Sequence, residues 1–214
     1  MAWWQPRNQL VILTSTAEQL ICAHFTGQYP QLKLQYYQKV ALSTGTLHGL
    51  LLCNPTHWRQ VLQQLLATAN LQLLPTSLIL AHEQIVETVT EQRLDYQLLQ
   101  ITGFGPVAEQ APYRAGILAG VLLQYQLVFA AAHLTLLGIT TKNGALLGLT
   151  ALPQFSWTGN LPELVRCNAP LAASATDSSQ LFSNHSQQPL TALAYQELLP
   201  SVGLYQYWSQ HEAD

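Results

Sequence analysis

The hydrophobic positions in the first part of the chain predict three antiparallel strands. Short apolar or alternating runs occupy Leu10 to Leu13, Leu20 to Phe25 and Leu32 to Leu42. Ser15 and Thr16 separate the first two runs, and Gly27-Gln28-Tyr29-Pro30 separates the second from the third. Because glycine and proline favour turns between such runs, the simplest arrangement is a sheet of three consecutive antiparallel strands.

A helix and two further strands follow this predicted sheet. Asn54-Pro55-Thr56 offers a helix start, and apolar residues then recur at helical spacing through about Asn70: Trp58, Val61, Leu62, Leu65 and Leu66. This helix should cover one face of the sheet. Ser77 to Ala81 and Leu94 to Ile101 are typical of buried strands, and Pro106 to Gln124 predicts a second helix.

The stretch from Ala115 to Ile139 carries no formal charge and exceeds the roughly 20 residues that cross a bilayer. Gln124, Gln126 and His133 interrupt it, however. Tyr125 to Phe129 also changes to residues typical of strands. We therefore expect a helix that gives way to a strand and then to another apolar segment, in place of a membrane span.

The pattern weakens beyond Leu147. Residues Asn168 to Pro189 are rich in Ala, Ser, Asn and Gln, which predicts a long or flexible loop. Leu190 to Trp208 regains apolar and aromatic residues and should return to the core as a final helix or strand. We accordingly divide the chain into a first lobe, residues 1–139, and a reduced second lobe, residues 140–214, with the flexible loop at about 168–189.

Composition narrows the class of partner. Hydrophobic residues make up 49% of the 214 residues and charged residues 9%, against a norm of about 25% charged. The net charge is -3, and the eight Lys plus Arg residues form no cluster. These values exclude nucleic acid as the main partner and favour a surface that binds other proteins.

The cysteines and the N-terminus indicate a reducing compartment. Cys22, Cys53 and Cys167 are odd in number, far apart and without a C-x-x-C pair, which predicts buried thiols and not a disulfide frame or zinc site. Residues 1–10 lack the basic start and apolar run of an export signal. We therefore expect a cytoplasmic protein.

Gly103-Phe104-Gly105-Pro106-Val107-Ala108 is the one nucleotide-binding pattern in the sequence. It places a G-x-G-x-x-A between a predicted strand and helix, so Gly103, Gly105 and Ala108 are weak candidates for a cofactor site. The acidic residue expected about 20 positions later to hold a ribose is missing, because no Asp or Glu lies between Glu109 and Glu163. A plain strand-to-helix turn is the favoured interpretation.

Other motifs of catalysis or metal binding are incomplete. His82-Glu83 would need a second histidine at position 86 to form H-E-x-x-H, and that residue is Val86. Thr140-Thr141-Lys142-Asn143-Gly144 lacks the spacing of a phosphate-binding loop and is interpreted as a turn. Neither G-x-S-x-G nor S-x-x-K occurs, and His133 is interpreted as a core histidine. We predict no catalytic residue, no metal site and no cofactor.

With this layout, the chain resembles a short member of the PilM family of type IV pilus assembly proteins, which includes HofM, ComA and MshI relatives. The resemblance depends on the order of six segments: Leu10-Val11-Ile12-Leu13 with the two strands after it, the Trp58 to Leu66 helix, Leu78-Ile79-Leu80-Ala81, Arg93-Leu94-Asp95-Tyr96, Ala115-Gly116-Ile117 and Val202-Gly203-Leu204. It implies a ribonuclease-H-like, actin-like ATPase fold in truncated form, with a mixed sheet and flanking helices. The chain is too short to contain the helical insertion that the family would place between Ala81 and Asp95. It is also too short for much of the second lobe.

The resemblance also implies a site that this chain does not preserve. In actin-like ATPases a D-x-G turn after the first strand holds metal and phosphate, and here that turn is Thr14-Ser15-Thr16-Ala17. Neither Asp nor Gly is present to bind Mg²⁺ with the phosphates. The resemblance therefore implies a scaffold without ATPase activity.

The family's role supplies the expected partner. PilM-like proteins sit on the cytoplasmic side of the inner membrane and receive a short N-terminal segment of the bitopic protein PilN, so this chain would reach the membrane through its partners. Two alternatives stay open: a scaffold like the actin-like domain of the type II secretion protein GspL, and a small nucleotide-binding α/β enzyme that uses the Gly103 to Ala108 turn.

Overall fold

A computed structural model describes residues 9–81, 86–87, 96–98, 115–151 and 181–211. Gly103, Gly105, Ala108, Asp95 and the candidate zinc residues His82 and Glu83 lie outside the described residues, as do residues 168–180 of the predicted loop. The predictions made for them stay predictions.

The centre of the described structure is a six-stranded mixed sheet. Strands β1 (Gln9–Ser15), β2 (Gln19–Thr26) and β3 (Lys33–Ala41) form the predicted antiparallel meander. Two small strands, β4 (Leu47–His48) and β5 (Leu51–Leu52), pair with each other. Strand β6 (Thr76–Leu80) pairs parallel with β1, and β10 (Leu136–Thr141), later in the chain, pairs parallel with β6. With β11 (Ser183–Asn184) at the other edge, the strand order is β10-β6-β1-β2-β3-β11.

Strands β1 and β6 are buried on both faces, which explains their continuous apolar runs. Every residue of β6 is buried, and so are all residues of β1 after Gln9. Strands covered on both faces do not alternate between apolar and polar residues. The sheet therefore requires a layer of helices on each side.

Helices α1 (Pro55–Thr68) and α2 (Ala119–Ala131) form the first of these layers. Asn54 caps α1, because its side-chain oxygen accepts a hydrogen bond from the His57 backbone N–H at 3.0 Å. The indole of Trp58, fully buried, lies edge-on to the Tyr125 ring at 5.7 Å and near the Phe129 ring at 6.0 Å. These aromatic contacts hold the two helices together.

Both helices end in the same way. Asn70 after α1 and His133 after α2 have φ values of 54° and 58°. The next residue in each case, Leu71 or Leu134, is buried and donates its N–H to the carbonyl five residues earlier, at 2.9 and 3.1 Å. This is the Schellman arrangement, in which a left-handed residue stops the helix. His133 is exposed, so its interpretation as a core histidine was wrong.

The second layer covers the opposite face. It consists of α3 (Lys142–Leu147), a 3-10 turn (Gly148–Ala151) and α4 (Ala192–His211). Phe25 of β2 contacts Tyr205 of α4, with ring centroids 5.6 Å apart, and the Tyr205 hydroxyl donates to the Gly27 carbonyl at 2.6 Å. The predicted return of Leu190 to Trp208 to the core is confirmed, as a helix.

Four further small strands complete the described structure. β11 (Ser183–Asn184) adds parallel to the start of β3, inside the segment predicted as a loop. β7 (Val86–Glu87), β8 (Tyr96–Leu98) and β9 (Ala115–Leu118) form a separate antiparallel sheet between β6 and α2. The division of the chain into lobes at residues 139 and 140 stays a prediction.

The uncharged stretch from Ala115 to Ile139 is organised differently from its prediction. Residues Ala115–Leu118 form a strand, and Tyr125 to Phe129 lie inside α2. The β-type residues of this segment are tolerated in a helix because packing against α1 overrides their weak intrinsic preference. None of the helices within the described ranges has the length and apolar character needed to cross a bilayer.

The cysteines also differ from expectation in one respect. Cys22 is buried in β2, whereas Cys53 is exposed just before the Asn54 cap. Cys53 had been predicted to be buried, and that was wrong, because the chain turns outward there to start α1. Cys167 lies outside the described residues.

Candidate functional site

The parallel strands β1, β6 and β10 end together at one edge of the sheet. Ser15, Leu80 and Thr141 are in register across these three strands. Carboxyl ends of neighbouring parallel strands are where open α/β sheets bind ligands. The site implied by an actin-like fold would therefore lie at this edge.

The turn after β1 is closed by its own side chain. The Thr16 hydroxyl accepts hydrogen bonds from the backbone N–H groups of Glu18 and Gln19, at 3.3 and 3.1 Å. The Thr16 N–H in turn donates to the Gln19 carbonyl at 3.0 Å. These N–H groups are occupied within the turn, so they are not free to hold a phosphate.

Ser15, the last residue of β1, is fully buried. It lies beside Tyr125, whose hydroxyl donates to the Leu50 carbonyl at 3.0 Å. Burial raises the pKa of the Tyr125 phenol, and the neighbouring Ser15 side chain acts in the opposite direction. Both side chains therefore belong to the interior and not to an open site.

The end of β10 leads directly into α3. The Thr141 side chain caps this short helix by accepting the Gly144 N–H at 2.8 Å, and Lys142 is exposed beside it. The segment Thr140 to Gly144 is thus the end of a strand followed directly by a helix, so its interpretation as a turn was wrong. The Thr141 hydroxyl therefore stabilises the start of α3.

The described residues assemble no metal centre. No group of three or more His, Cys, Asp or Glu side chains lies close enough within the described ranges to hold an ion. Glu18 is exposed in the β1–β2 turn, and Glu197 of α4 pairs with Lys39. The carboxylates that this part of the chain supplies are therefore separate.

A groove on the outer side of α1 and α2 offers a different kind of site. The α1–α2 groove has a volume of about 280 Å³ and is lined by Pro55, Thr56, Arg59, Gln124, Leu127, Val128 and Ala131. Near it, Trp58 of α1 packs against Tyr125 and Phe129 of α2. The Gln124 side-chain oxygen accepts the Leu52 N–H at 3.1 Å and so ties α2 to the β4–β5 hairpin.

The outer face of α2 beside this groove is apolar. Leu123 and Leu127, one turn apart, are 52% and 58% exposed, and Leu118 at the end of β9 is 44% exposed. Helix α2 carries no charged residue. An apolar face of this kind on a folded chain commonly marks a contact surface.

A second cavity, of about 760 Å³, lies between the end of α1 and strand β3. Its lining is half polar and half apolar, and includes Gln9, His24, Gln35, Asn70 and Leu74. The His24 Nε2 atom is enclosed without a hydrogen-bond partner in the described part of the chain, and burial lowers the pKa of this histidine. Since Nε2 is shut off from solvent, it cannot reach a ligand there.

Sequence reasoning missed the groove residues Arg59 and Leu127. The available signal was the uncharged helix after residue 118, which was interpreted as a helix followed by a strand. The side of α2 that stays exposed depends on how α1 packs against it, and that contact comes from residues far apart in the sequence.

Comparisons with known proteins support the fold. No protein-family model and no curated protein matches the sequence. Among solved structures, a chain of the "PilM-PilN type IV pilus biogenesis complex" has a TM-score of 0.53 at 15% identity, covering 68% of this chain and 50% of that one. The present chain therefore spans half the length of that relative.

Two further structures are more distant. The cytoplasmic domain of EpsL, an inner membrane component of the type II secretion system of Vibrio cholerae, has a TM-score of 0.40 at 10% identity, covering 64% of this chain and 58% of that domain. RuvC from Thermus thermophilus has 0.44 at 9%, covering 93% and 94%. The predicted α/β fold class, a mixed sheet with flanking helices, is confirmed.

Proposed function

We propose that this chain is a non-catalytic scaffold of type IV pilus assembly, or of a related competence or MSHA pilus. In this role it binds a short cytoplasmic segment of a bitopic inner-membrane protein similar to PilN. It acts on the cytoplasmic side and reaches the membrane through that partner.

The observation that carries this proposal is the shared fold. The described sheet and helices are similar in structure to a chain from a complex of PilM and PilN, over 68% of this chain. The low charge of the sequence, 9% of residues, fits this role because few ions would lose water when a peptide binds.

The β1–β2 turn supports the absence of catalysis in this proposal. Thr16 uses its hydroxyl to close the turn where the fold would place a metal-binding carboxylate. Phosphoryl transfer requires Mg²⁺ to neutralise the developing charge. A turn that is already satisfied by its own hydrogen bonds favours a structural role for this edge.

The partner test uses fluorescent peptides from the cytoplasmic N-termini of PilN-like bitopic proteins of the organism that encodes this chain. We expect one of them to bind with a micromolar dissociation constant, since ordering a flexible segment consumes about 2–5 kcal/mol of the interaction. A scrambled peptide of the same composition is the control. No binding of any peptide at high micromolar protein would contradict the scaffold.

The alternatives have their own readouts. A peptide from a type II secretion component that binds in place of the pilus peptides would identify the GspL-like scaffold. Thermal shift with ATP and Mg²⁺, NAD or FAD tests the enzyme alternative, because ligand at about 100 times its dissociation constant adds about 2.7 kcal/mol of stability. We expect no shift and no phosphate release.

A further inference from the structure

We propose that the α1–α2 groove is the docking site for the partner segment. The occupant is a short amphipathic helix with apolar side chains one turn apart and a carboxylate that pairs with Arg59. This inference rests on the proposed function, because it names the surface and the partner chemistry of the same interaction.

The α2 wall of the groove is mostly apolar: Leu127, Val128 and Ala131 line it together with Gln124. Leu127 is 58% exposed, and Leu123, one turn away on the outside of α2, is 52% exposed. A surface helix of a globular protein normally presents polar residues on its outer face, whereas a helix that is apolar all round is normally buried. The outside of α2 therefore has the chemistry of a face that is covered in an assembly.

The α1 wall has the opposite character. Arg59 is half-buried at the groove. The one ion pair found within the described residues joins Lys39 to Glu197, on another element, so Arg59 has no acidic partner there. A guanidinium forms its strongest hydrogen bonds with a carboxylate, in a forked geometry. Arg59 therefore selects an occupant with an acidic residue at this position.

The two walls together favour a partner helix over an anionic membrane surface as the occupant. Apolar side chains at i and i+4 of a partner helix would contact Leu127 and the adjoining Ala131, while its polar side faces Arg59. Binding to an anionic membrane uses clusters of several cationic side chains. Among the residues that line this groove, Arg59 is the only cationic one. The observations therefore favour a peptide.

The groove is also held in a fixed shape. Trp58 of α1 packs on Tyr125 and Phe129 of α2, and the hydrogen bonds from Leu52 to Gln124 and from Tyr125 to Leu50 attach α2 to the β4–β5 hairpin. A preformed groove loses little entropy on binding. Substitutions at its exposed residues should therefore change affinity without changing the fold.

The test measures binding of the same cytoplasmic N-terminal peptides to the wild type and to four variants. Leu127→Asp and Arg59→Glu alter the two walls of the groove. Leu193→Asp and Lys142→Glu are matched controls: Leu193 is 63% exposed on α4, on the opposite face of the sheet, and Lys142 is exposed at the start of α3. Leu127→Gln serves as a milder change if Leu127→Asp lowers the melting temperature.

We expect each groove variant to weaken binding about ten-fold or more, as for a residue central to an interface, and each control to stay within about two-fold of the wild type. Changing the acidic residue of the peptide to lysine should restore binding to Arg59→Glu. This rescue would identify the carboxylate partner directly.

The other outcomes separate the two proposals. If the wild type binds and the groove variants bind equally well, the groove assignment is wrong and the scaffold stands. If the wild type binds no peptide, both fall. A dimer that Leu127→Asp dissociates, or sedimentation with vesicles of anionic phospholipid that Arg59→Glu abolishes, would show that a second copy or a membrane occupies the groove and would overturn the peptide assignment.

Discussion

The contact between α3 and α4 can be tested with a single methyl group. At Gly203 of α4, an added Cβ would lie 3.1 Å from the Ala145 carbonyl carbon, closer still to its oxygen, and 3.2 Å from the Leu149 Cγ atom. The obstructing group is backbone, which cannot rotate away. Gly203→Ala therefore forces α4 to move outward from α3.

The magnitude follows from two opposing effects. Alanine is favoured over glycine in a helix by about 1 kcal/mol, whereas overpacking of a close contact costs about 1–3 kcal/mol and occasionally more. Because the Gly203 contact is with backbone, we expect the upper part of that range and a net loss of about 2 kcal/mol. For a chain of this size, that loss lowers the melting temperature by about 4–8 °C.

Gly120→Ala is the matched control for this prediction. Gly120 lies in the first turn of α2, and nothing stands within 4 Å of its added Cβ. Thermal unfolding followed by circular dichroism should show Gly120→Ala at or slightly above the wild-type melting temperature. A Gly203→Ala melting temperature equal to or above that of the wild type would refute the close packing of α4 on α3.

Four other measurements test separate features. Tyr125→Phe leaves the buried Leu50 carbonyl without its donor and should lower the free energy of unfolding by about 1–3 kcal/mol in urea titrations; an unchanged midpoint would contradict this bond. Burial lowers the His24 pKa from 6.5, so the free energy of unfolding should be fully retained above pH 6.5 and should decrease below it. His24→Gln should make this decrease smaller. His133→Gly should raise the melting temperature, because glycine adopts its positive φ without strain; a decrease would argue against the helix stop. In native alkylation followed by mass spectrometry, Cys53 should react and Cys22 should not, since burial raises the pKa of the Cys22 thiol.

The local sequence determined the meander and α1. Apolar runs separated by turn residues specified β1 to β3, and Asn54 followed by Pro55 specified where α1 begins. These signals act within a few residues, so a single sequence contains them. The incomplete D-x-G turn was also visible in the sequence, because it depends on which residues follow the first strand.

The tertiary structure alone decided the rest. Residues 115–118 became a strand because they pair with β7 and β8, and 125–129 stayed helical because they pack on Trp58. The exposure of Leu127 and the position of Arg59 beside it depend on the same packing of α1 against α2. A groove is formed by residues more than 60 positions apart, and periodicity within either helix contains no information about the face that the other leaves uncovered.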